Sequence, residues 1–198
     1  MPRQNRVLAT SAIVAHPARG TMMGNRGILH DDTGRLTNRR WRHRNWVCCV
    51  TEFKGRRRKV MTPGRYTELF FLDEAVALAA GHRPCAECRR ADYVSYCAAV
   101  GHVGRAAELD TRLHHERAVP RRFAQRREVM EAAGLPDFTI VLRGTDTLLL
   151  IGDAARPVAP ECYGPAVARP TGPVEVLTPA TSRAALAGGF TPRLHPSF

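Results

Sequence analysis

The sequence lacks any long apolar run. Hydrophobic residues make up 44% of its 198 residues, but no stretch approaches the roughly 18–20 consecutive apolar residues that a membrane-spanning helix needs. The N-terminal stretch starts with basic residues, yet its apolar part is short and interrupted by Thr, Ser and His, which makes it a poor secretory signal. We therefore expect a cytoplasmic globular protein whose cysteines stay reduced.

The sequence also lacks the common motifs for nucleotide cofactors and serine nucleophiles. It contains no Walker-type phosphate loop, no GxGxxG fingerprint and no GxSxG elbow. A metal ion is the one cofactor that its residues support, because six cysteines are present and thiolates are good metal ligands.

Acidic residues are scarce in the first third of the chain. Residues 1–66 contain 15 Lys and Arg against 3 Asp and Glu, whereas residues 67–198 contain 15 of each, so the net charge of +12 lies entirely in the first segment. Only Lys54 and Lys59 are lysines, and guanidinium groups bind phosphate through paired hydrogen bonds and stack on bases. This pattern favours a polyanionic partner such as nucleic acid, with a solubilising surface as the alternative.

The hydrophobic pattern and the turn residues predict an α+β protein. A small, basic, zinc-supported α/β half over residues 1–104 precedes helices and a small α+β region over residues 105–198. The two halves form either separate units or one continuous domain.

Secondary structure is predicted from periodicity and from residues that cap helices or favour turns. Residues 1–45 are expected to be irregular, with short strands as the alternative. Strands over 46–53 and 66–72 are expected to pair as a hairpin with a basic tip. Asp73 caps a helix that stops at Gly81, and a second helix covers 86–99. Beyond these we expect helices over 105–118 and 121–133, a β-hairpin over 138–151, a loop over 152–173, a strand over 174–177 and a last helix ending near Gly188.

The sharpest local motif is Cys85-Ala86-Glu87-Cys88, which follows Pro84 and precedes Arg89. Two thiolates at this spacing bind one tetrahedral Zn²⁺ at about 2.3 Å. The neighbouring arginines are expected to lower the pKa of both thiols and to offset the charge of a thiolate-rich site. A thioredoxin-type redox pair and two unpaired core thiols are the alternatives, although the βαβ setting of the redox motif is not visible upstream.

A zinc site of this kind needs two further ligands. Cys48 and Cys49 are candidates, but neighbouring residues on a strand point to opposite faces, so we expect one of them to bind, with Cys49 favoured. We expect a histidine at the remaining position, from His30, His43 or the pair His114-His115, with Cys48 and Cys97 as alternatives.

The segment YTELFFLDEAVALAAGHRPCAECRR, residues 66–90, resembles the metal-binding domain of the Ada DNA-repair proteins and the related zinc modules of competence-type proteins. The shared features are an aromatic strand, a short helix and the run Ala-Gly-x-Arg-Pro-Cys-x-x-Cys-Arg, and the resemblance extends over about residues 46–90. It implies a zinc-binding, DNA-binding protein in which Cys85 and Cys88 are the downstream ligand pair. It also implies that one cysteine of an upstream pair accepts a methyl group from a phosphotriester. Cys48 and Cys49 lie in that direction but are adjacent, without the family's three-residue spacer.

Two basic segments are candidates for nucleic-acid contacts, with DNA favoured over RNA. RRWRHRNW (39–46) interleaves Trp41 and Trp46 with arginines, and FKGRRRK (53–59) is a compact cationic loop. Such charges and planar side chains are what phosphate binding and base stacking require, while two core tryptophans flanked by solvated arginines are the alternative. The predicted phosphate-binding residues are Arg39, Arg40, Arg42, Arg44, Arg56, Arg57, Arg58 and Lys59.

An enzyme is the competing class of function. Asp110 and His114 share a face of the predicted helix over 105–118, where such a pair orients a histidine for general-base catalysis or binds a metal. Together with Glu116 they are the candidate catalytic residues of a hydrolase or nuclease. The other enzymatic alternative is a methyl-accepting thiolate at Cys48 or Cys49, and the non-catalytic alternative is a solvated helix with local ion pairs.

Overall fold

The computed structural model describes residues 1–56 and 59–198. Within these residues it contains two six-stranded sheets, a two-stranded ladder and four α-helices, which confirms the predicted α+β class. None of the helices in the described ranges is both long and apolar enough to span a bilayer.

The first sheet is built from the N-terminal half of the chain. Its strands are β1 (Gln4–Val7), β2 (Ile13–Ala15), β3 (Met22–Asn25), β4 (Val47–Val50), β5 (Leu69–Phe71) and β6 (Arg83–Pro84), in the spatial order β2-β1-β5-β3-β4-β6. The β3 strand pairs antiparallel with both β4 and β5, and β6 extends the sheet by pairing parallel with β4. Residues 1–45 therefore supply three short strands, the alternative to a wholly irregular segment.

The predicted hairpin between residues 46–53 and 66–72 is wrong, because β3 lies between its two strands. Met23 is paired with Cys49 on one side and with Phe70 on the other. The β3 strand was not predicted from the sequence because it contains Gly24, and glycine is a weak strand former. Glycine is nevertheless required there, since a Cβ atom at Gly24 would lie 2.2 Å from the carbonyl oxygen of Val47.

The helices of the first half follow the sequence signals. Helix α1 (Glu74–Ala79) is capped as predicted, since Asp73 Oδ1 accepts the N–H of Val76 at 3.0 Å. Gly81, with a φ of 84°, follows its C-terminus. Helix α2 (Arg90–Ala99) begins later than predicted because the CxxC residues form a turn before it, and α3 (Ala106–Arg117) confirms the helix expected over 105–118.

The second sheet lies in the C-terminal half. It follows a two-stranded ladder of β7 (Ala118–Val119) and β8 (Ala124–Gln125). The strands of the sheet are β9 (Glu128–Glu131), β10 (Ile140–Arg143), β11 (Asp146–Ile151), β12 (Ala154–Pro157), β13 (Val167–Ala168) and β14 (Pro173–Val176). They lie in the spatial order β13-β12-β11-β10-β14-β9, and helix α4 (Ala180–Ala187) follows them in the chain. The predicted hairpin over 138–151, the strand over 174–177 and the last helix are confirmed.

Two predictions for this half are wrong. The expected helix over 121–133 is replaced by β8, β9 and a 3₁₀ turn at Ala132–Gly134. Arg121 and Phe123 adopt positive φ values of 66° and 51°, which interrupt a helix. The expected loop over 152–173 contains β12, which pairs with β11, and β13, which pairs with β12, so part of its backbone is hydrogen-bonded in the sheet.

The largest buried hydrophobic cluster draws residues from both halves. Leu69, Phe71 and Val76 of the first half belong to the same cluster as Ile140 and Leu149 of the second. Burying each of the larger side chains contributes roughly 1.5–3 kcal/mol. The core is therefore continuous across residue 104.

A buried ion pair fixes the start of α2 against α1. Arg89 Nη2 donates to Glu74 Oε2 at 2.7 Å, and Nη1 lies 2.6 Å from Oε1. The two side chains are 1% and 0% exposed. Arg89 Nε also donates to Asp92 Oδ2 at 2.9 Å. Because Arg89 directly follows Cys88, this pair positions the CxxC turn.

The Glu74→Gln variant tests the contribution of this pair. We expect the free energy of unfolding to fall by about 3–5 kcal/mol, because the charge of Arg89 stays buried without its main partner. Urea denaturation measures the loss. As a control, Glu175→Gln removes an exposed ion pair with Arg127 and should cost less than about 1 kcal/mol. Equal losses in the two variants would contradict the prediction.

Candidate metal centre

The pleat of β4 sends Cys48 and Cys49 to opposite faces of the first sheet. Cys48 is fully buried in the core, and Arg89 Nη1 donates to its sulfur at 3.4 Å. Burial raises the pKa of the Cys48 thiol above its ordinary value. Cys49 is half-buried on the other face. The alternation expected for a strand is present, and it separates a core thiol from an accessible one.

Three cysteines meet on the accessible face. The backbone N–H of Cys85 donates to the carbonyl oxygen of Cys48 at 2.9 Å, which continues the parallel pairing of β6 with β4 and brings Cys85 beside Cys49. The CxxC turn then returns the sulfur of Cys88 to the same place. The sulfurs of Cys49, Cys85 and Cys88 all lie within 4.8 Å of one another, so this cluster could hold a metal ion. The structure does not bring Cys48 into the group.

The proton distribution among these thiols favours a thiolate at Cys85. A hydrogen bond from the Cys49 thiol is the largest cause and lowers the pKa of Cys85 to about 5; burial opposes it, and the backbone N–H groups of Cys88 and Glu87 add to it. The pKa of Cys88 is lowered too, again chiefly by the Cys49 thiol. Hydrogen bonding to both partners raises the pKa of Cys49. The group therefore readily carries the negative charge that attracts a metal cation.

The cluster opens into a pocket of about 910 Å³. Its walls are residues of β3, β4 and β5 on one side and the segment that follows β4 on the other. Among the described residues, no fourth Cys, His, Asp or Glu lies within 4.8 Å of all three sulfurs. A tetrahedral ion held by the three cysteines would thus present its fourth position to neighbouring groups or to solvent. The residues lining the pocket include Met23, Asn25, Val47, Phe53, Glu68 and Phe70.

The other candidate ligands are engaged elsewhere. His30 Nδ1 lies 2.7 Å from the hydroxyl of Thr67, and His43 Nε2 lies 3.1 Å from Asn25 Oδ1. Cys97 packs against a separate hydrophobic cluster around α2 and α4. None of them joins the three cysteines within the described ranges.

Of the predicted phosphate-binding residues that the structure describes, Arg56 is found on the wall of the pocket. Its Nη2 donates to Glu87 Oε1 at 2.8 Å across the CxxC turn. Lys59 is exposed, whereas Arg57 and Arg58 lie outside the described residues. Of the other four, Arg39, Arg42 and Arg44 are exposed, and Arg40 is half-buried with its Nη1 donating to the carbonyl oxygen of Thr37 at 2.7 Å.

The prediction that Trp46 stacks on bases is wrong. Its side chain is 1% exposed, and the guanidinium carbons of Arg26 and Arg117 each lie 4.1 Å from the ring centre. The indole N–H donates to the carbonyl oxygen of His43 at 2.9 Å. Trp41 is half-buried and packs edge-on against Phe123 at 4.9 Å. Trp46 is thus a core residue held between two buried cations.

The structure does not assemble Asp110, His114 and Glu116 into a catalytic site. Asp110 is buried and receives two hydrogen bonds of 2.8 Å from Arg83. Glu116 accepts the backbone N–H and the hydroxyl of Thr181, at 2.8 and 2.7 Å, and so caps α4. Both carboxylates therefore hold helices in place.

Sequence reasoning missed Glu68, which lines the pocket beside β5. The side chain is 2% exposed, and its Oε2 accepts the backbone N–H of Met61 at 2.7 Å. Oε1 has no hydrogen-bond partner among the described residues. The only available signal was a lone carboxylate beside an aromatic strand, because its burial depends on the fold of the segment after β4.

His114 gives the stability of the fold a pH dependence. Burial, followed by the charges of Arg117 and Arg44, lowers its pKa to about 4, against about 6.5 in an unfolded chain. The unfolded state therefore takes up the proton first as pH falls, and stability is lost between about pH 6.5 and pH 4. His114→Gln should reduce this loss by about 1 kcal/mol, since a half-exposed group is partly screened.

Urea denaturation of both proteins at several pH values measures this difference. At about pH 7.5 a neutral side chain occupies position 114 in both proteins, which provides the reference. Parallel losses of stability on acidification would show that His114 does not contribute.

Comparison with known proteins assigns no family to the chain. No protein-family model, curated protein or solved structure matches it. The site is accordingly interpreted from its own geometry.

Proposed function

We propose that this protein binds zinc through Cys49, Cys85 and Cys88, and binds nucleic acid with the basic surface around the thiol pocket. The observation that carries the proposal is the joint position of these groups. Three sulfurs line a pocket that is also lined by Lys54 and Arg56, both exposed, in the most basic third of the chain.

Zinc is the metal that suits this set of ligands. Thiolate sulfur is a soft donor, which favours zinc over magnesium or calcium. Zn²⁺ takes tetrahedral sites readily, and sulfurs within 4.8 Å of one another are close enough to share one ion. With three thiolates the centre carries a net charge of about −1, which the guanidinium groups of Arg56 and Arg90 beside the CxxC motif would offset.

The metal would tie together parts of the chain that are distant in sequence. Cys49 comes from β4, whereas Cys85 and Cys88 come from the turn before α2. One ion would close the sheet against that turn and stabilise the folded state over the unfolded one. The proposed role of the metal is therefore to hold the pocket wall in shape.

Metal analysis of the purified protein tests this role. We expect one zinc ion per chain, and we expect Cys49→Ser to lose it because only two thiolates remain. Cys48→Ala is the matched control, since Cys48 adjoins Cys49 but points into the core. Its zinc content should be unchanged even if its stability is lower. Metal-free wild-type protein, or loss of zinc in the Cys48→Ala variant alone, would overturn the assignment.

Electrostatics supports a nucleic-acid partner. The net charge of +12 comes from the first 66 residues, and cationic surfaces bind nucleic acid mainly by releasing the counterions condensed on its phosphate backbone. The Arg56–Glu87 ion pair is exposed on both sides, so Arg56 can exchange its partner for phosphate at little cost. DNA is the first choice, because the Ada-type proteins that the CxxC segment resembles bind DNA.

A variant with Arg56→Gln, Arg57→Gln and Arg58→Gln tests the phosphate contacts. We expect weaker DNA binding, and a slope of log affinity against log salt that is shallower by about 0.7–0.9 for each contact removed. A control with Arg105→Gln, Arg127→Gln and Arg143→Gln loses the same charge from exposed positions in the second half. Absence of DNA and RNA binding at low salt, or equal effects of the two variants, would contradict the proposal.

A further inference from the structure

Aromatic side chains line the pocket beside the three cysteines. Phe53, Tyr66 and Phe70 are all half-buried in its walls. Lys54 Nζ and Arg56 Cζ each lie 5.3 Å from the centre of the Phe53 ring. A flat, uncharged ring that enters the pocket would therefore contact aromatic side chains, while a negatively charged group attached to it would meet cations.

Glu68 offers an unused hydrogen-bond acceptor in the same pocket. Its Oε2 is bound by the backbone N–H of Met61, but Oε1 has no partner in the described part of the chain. A buried polar atom without a partner costs about 1–3 kcal/mol, so a ligand with an N–H donor would gain by supplying one. Oε1 is shielded from solvent, so a ligand would reach it only after a rotation about the soft terminal torsion of the side chain, which also moves Oε2 relative to the N–H of Met61.

Asn25 supplies a donor on the same wall. Its Oδ1 already accepts the backbone N–H of Gly27 at 3.3 Å and lies 3.1 Å from His43 Nε2. The amide nitrogen is therefore the group that Asn25 can offer to a ligand. Asn25 pairs with Val47 in the sheet, and Glu68 directly precedes Leu69, which pairs with the neighbouring Gly24. The donor thus lies at the end of β3 and the acceptor just before the adjacent strand β5.

We propose that this pocket receives one unpaired, unstacked base of single-stranded nucleic acid, an inference that rests on the proposed function. The Watson–Crick edge of a base carries an N–H donor next to an acceptor, which matches Glu68 and Asn25. In a duplex that edge is already paired, so the pocket selects single strands, as do other proteins that read an exposed base by stacking and edge contacts.

The charged residues of the pocket agree with a base inside it and a phosphate backbone outside. Lys54 and Arg56 are exposed at the pocket beside the exposed carboxylates of Glu52 and Glu87. Arg56 donates to Glu87 at the surface, so a phosphate can bind Lys54 directly and Arg56 by replacing that carboxylate. The buried carboxylate of Glu68 repels an anion but accepts from a neutral base. The backbone therefore stays outside, at Lys54 and Arg56, while the base enters.

Fluorescence anisotropy at one fixed salt concentration tests the inference on the zinc-loaded, full-length protein. The probes are a short single-stranded DNA of mixed sequence, the same DNA as a duplex, and the single strand with abasic sites in place of its bases. We expect the intact strand to bind about tenfold more tightly than the duplex or the abasic strand, the amount that stacking of one base provides.

Glu68→Gln examines the acceptor itself. It should weaken binding of the intact strand about fivefold to tenfold and leave the abasic strand unaffected, because the lost contact is made only by a base. Glu52→Gln is the matched control, since Glu52 also lines the pocket but is exposed. It should leave the preference for the intact strand unchanged.

The outcomes separate this inference from the proposed function. Equal binding of intact, duplex and abasic DNA would overturn the base pocket while nucleic-acid binding still stands. Absence of all binding at low salt would overturn both. The comparison of the three DNAs uses the wild-type protein, so it decides the question even if Glu68→Gln fails to fold.

Discussion

The geometry of the thiol pocket depends on the buried ion pair between Arg89 and Glu74. Arg89 is the residue after Cys88, and its guanidinium reaches both the first turn of α1 and the sulfur of Cys48. A pair that is almost wholly buried does not loosen without leaving a charge in a low-dielectric interior. The CxxC turn therefore shares the rigidity of the core, although its own sulfurs are accessible.

The second constraint is that one face of β4 lies in the hydrophobic core and the other face lines the pocket. Its alternate side chains face α1 on one side and the pocket on the other, so adjacent cysteines have opposite roles. The pocket face of β4 is formed only when β3 lies beside it in the sheet. Gly24 permits the close approach of the two backbones, and Met23 beside it faces Cys49. A side chain at position 24 would therefore disturb the wall of the pocket as well as the core.

The parts of this arrangement that local chemistry determines could be predicted from the sequence. The Asp73 cap, the Gly81 stop and the opposite orientation of Cys48 and Cys49 follow from short-range rules. The insertion of β3 between β4 and β5 could not be predicted, because strand order depends on pairing between distant segments. Glu68 was missed for a related reason, since its burial depends on the segment that covers it and not on its neighbours in sequence.

Composition alone overstates the charge available to a polyanionic ligand. Arg26 belongs to the basic first third, yet its guanidinium is buried against Trp46, and burial lowers its pKa far below the ordinary value. Arg6 Nε is likewise used by a carbonyl oxygen, that of Ala18. Only exposed arginines and lysines can displace the counterions of a phosphate backbone. The salt dependence of the proposed nucleic-acid binding should therefore follow the exposed cations and not the net charge of the chain.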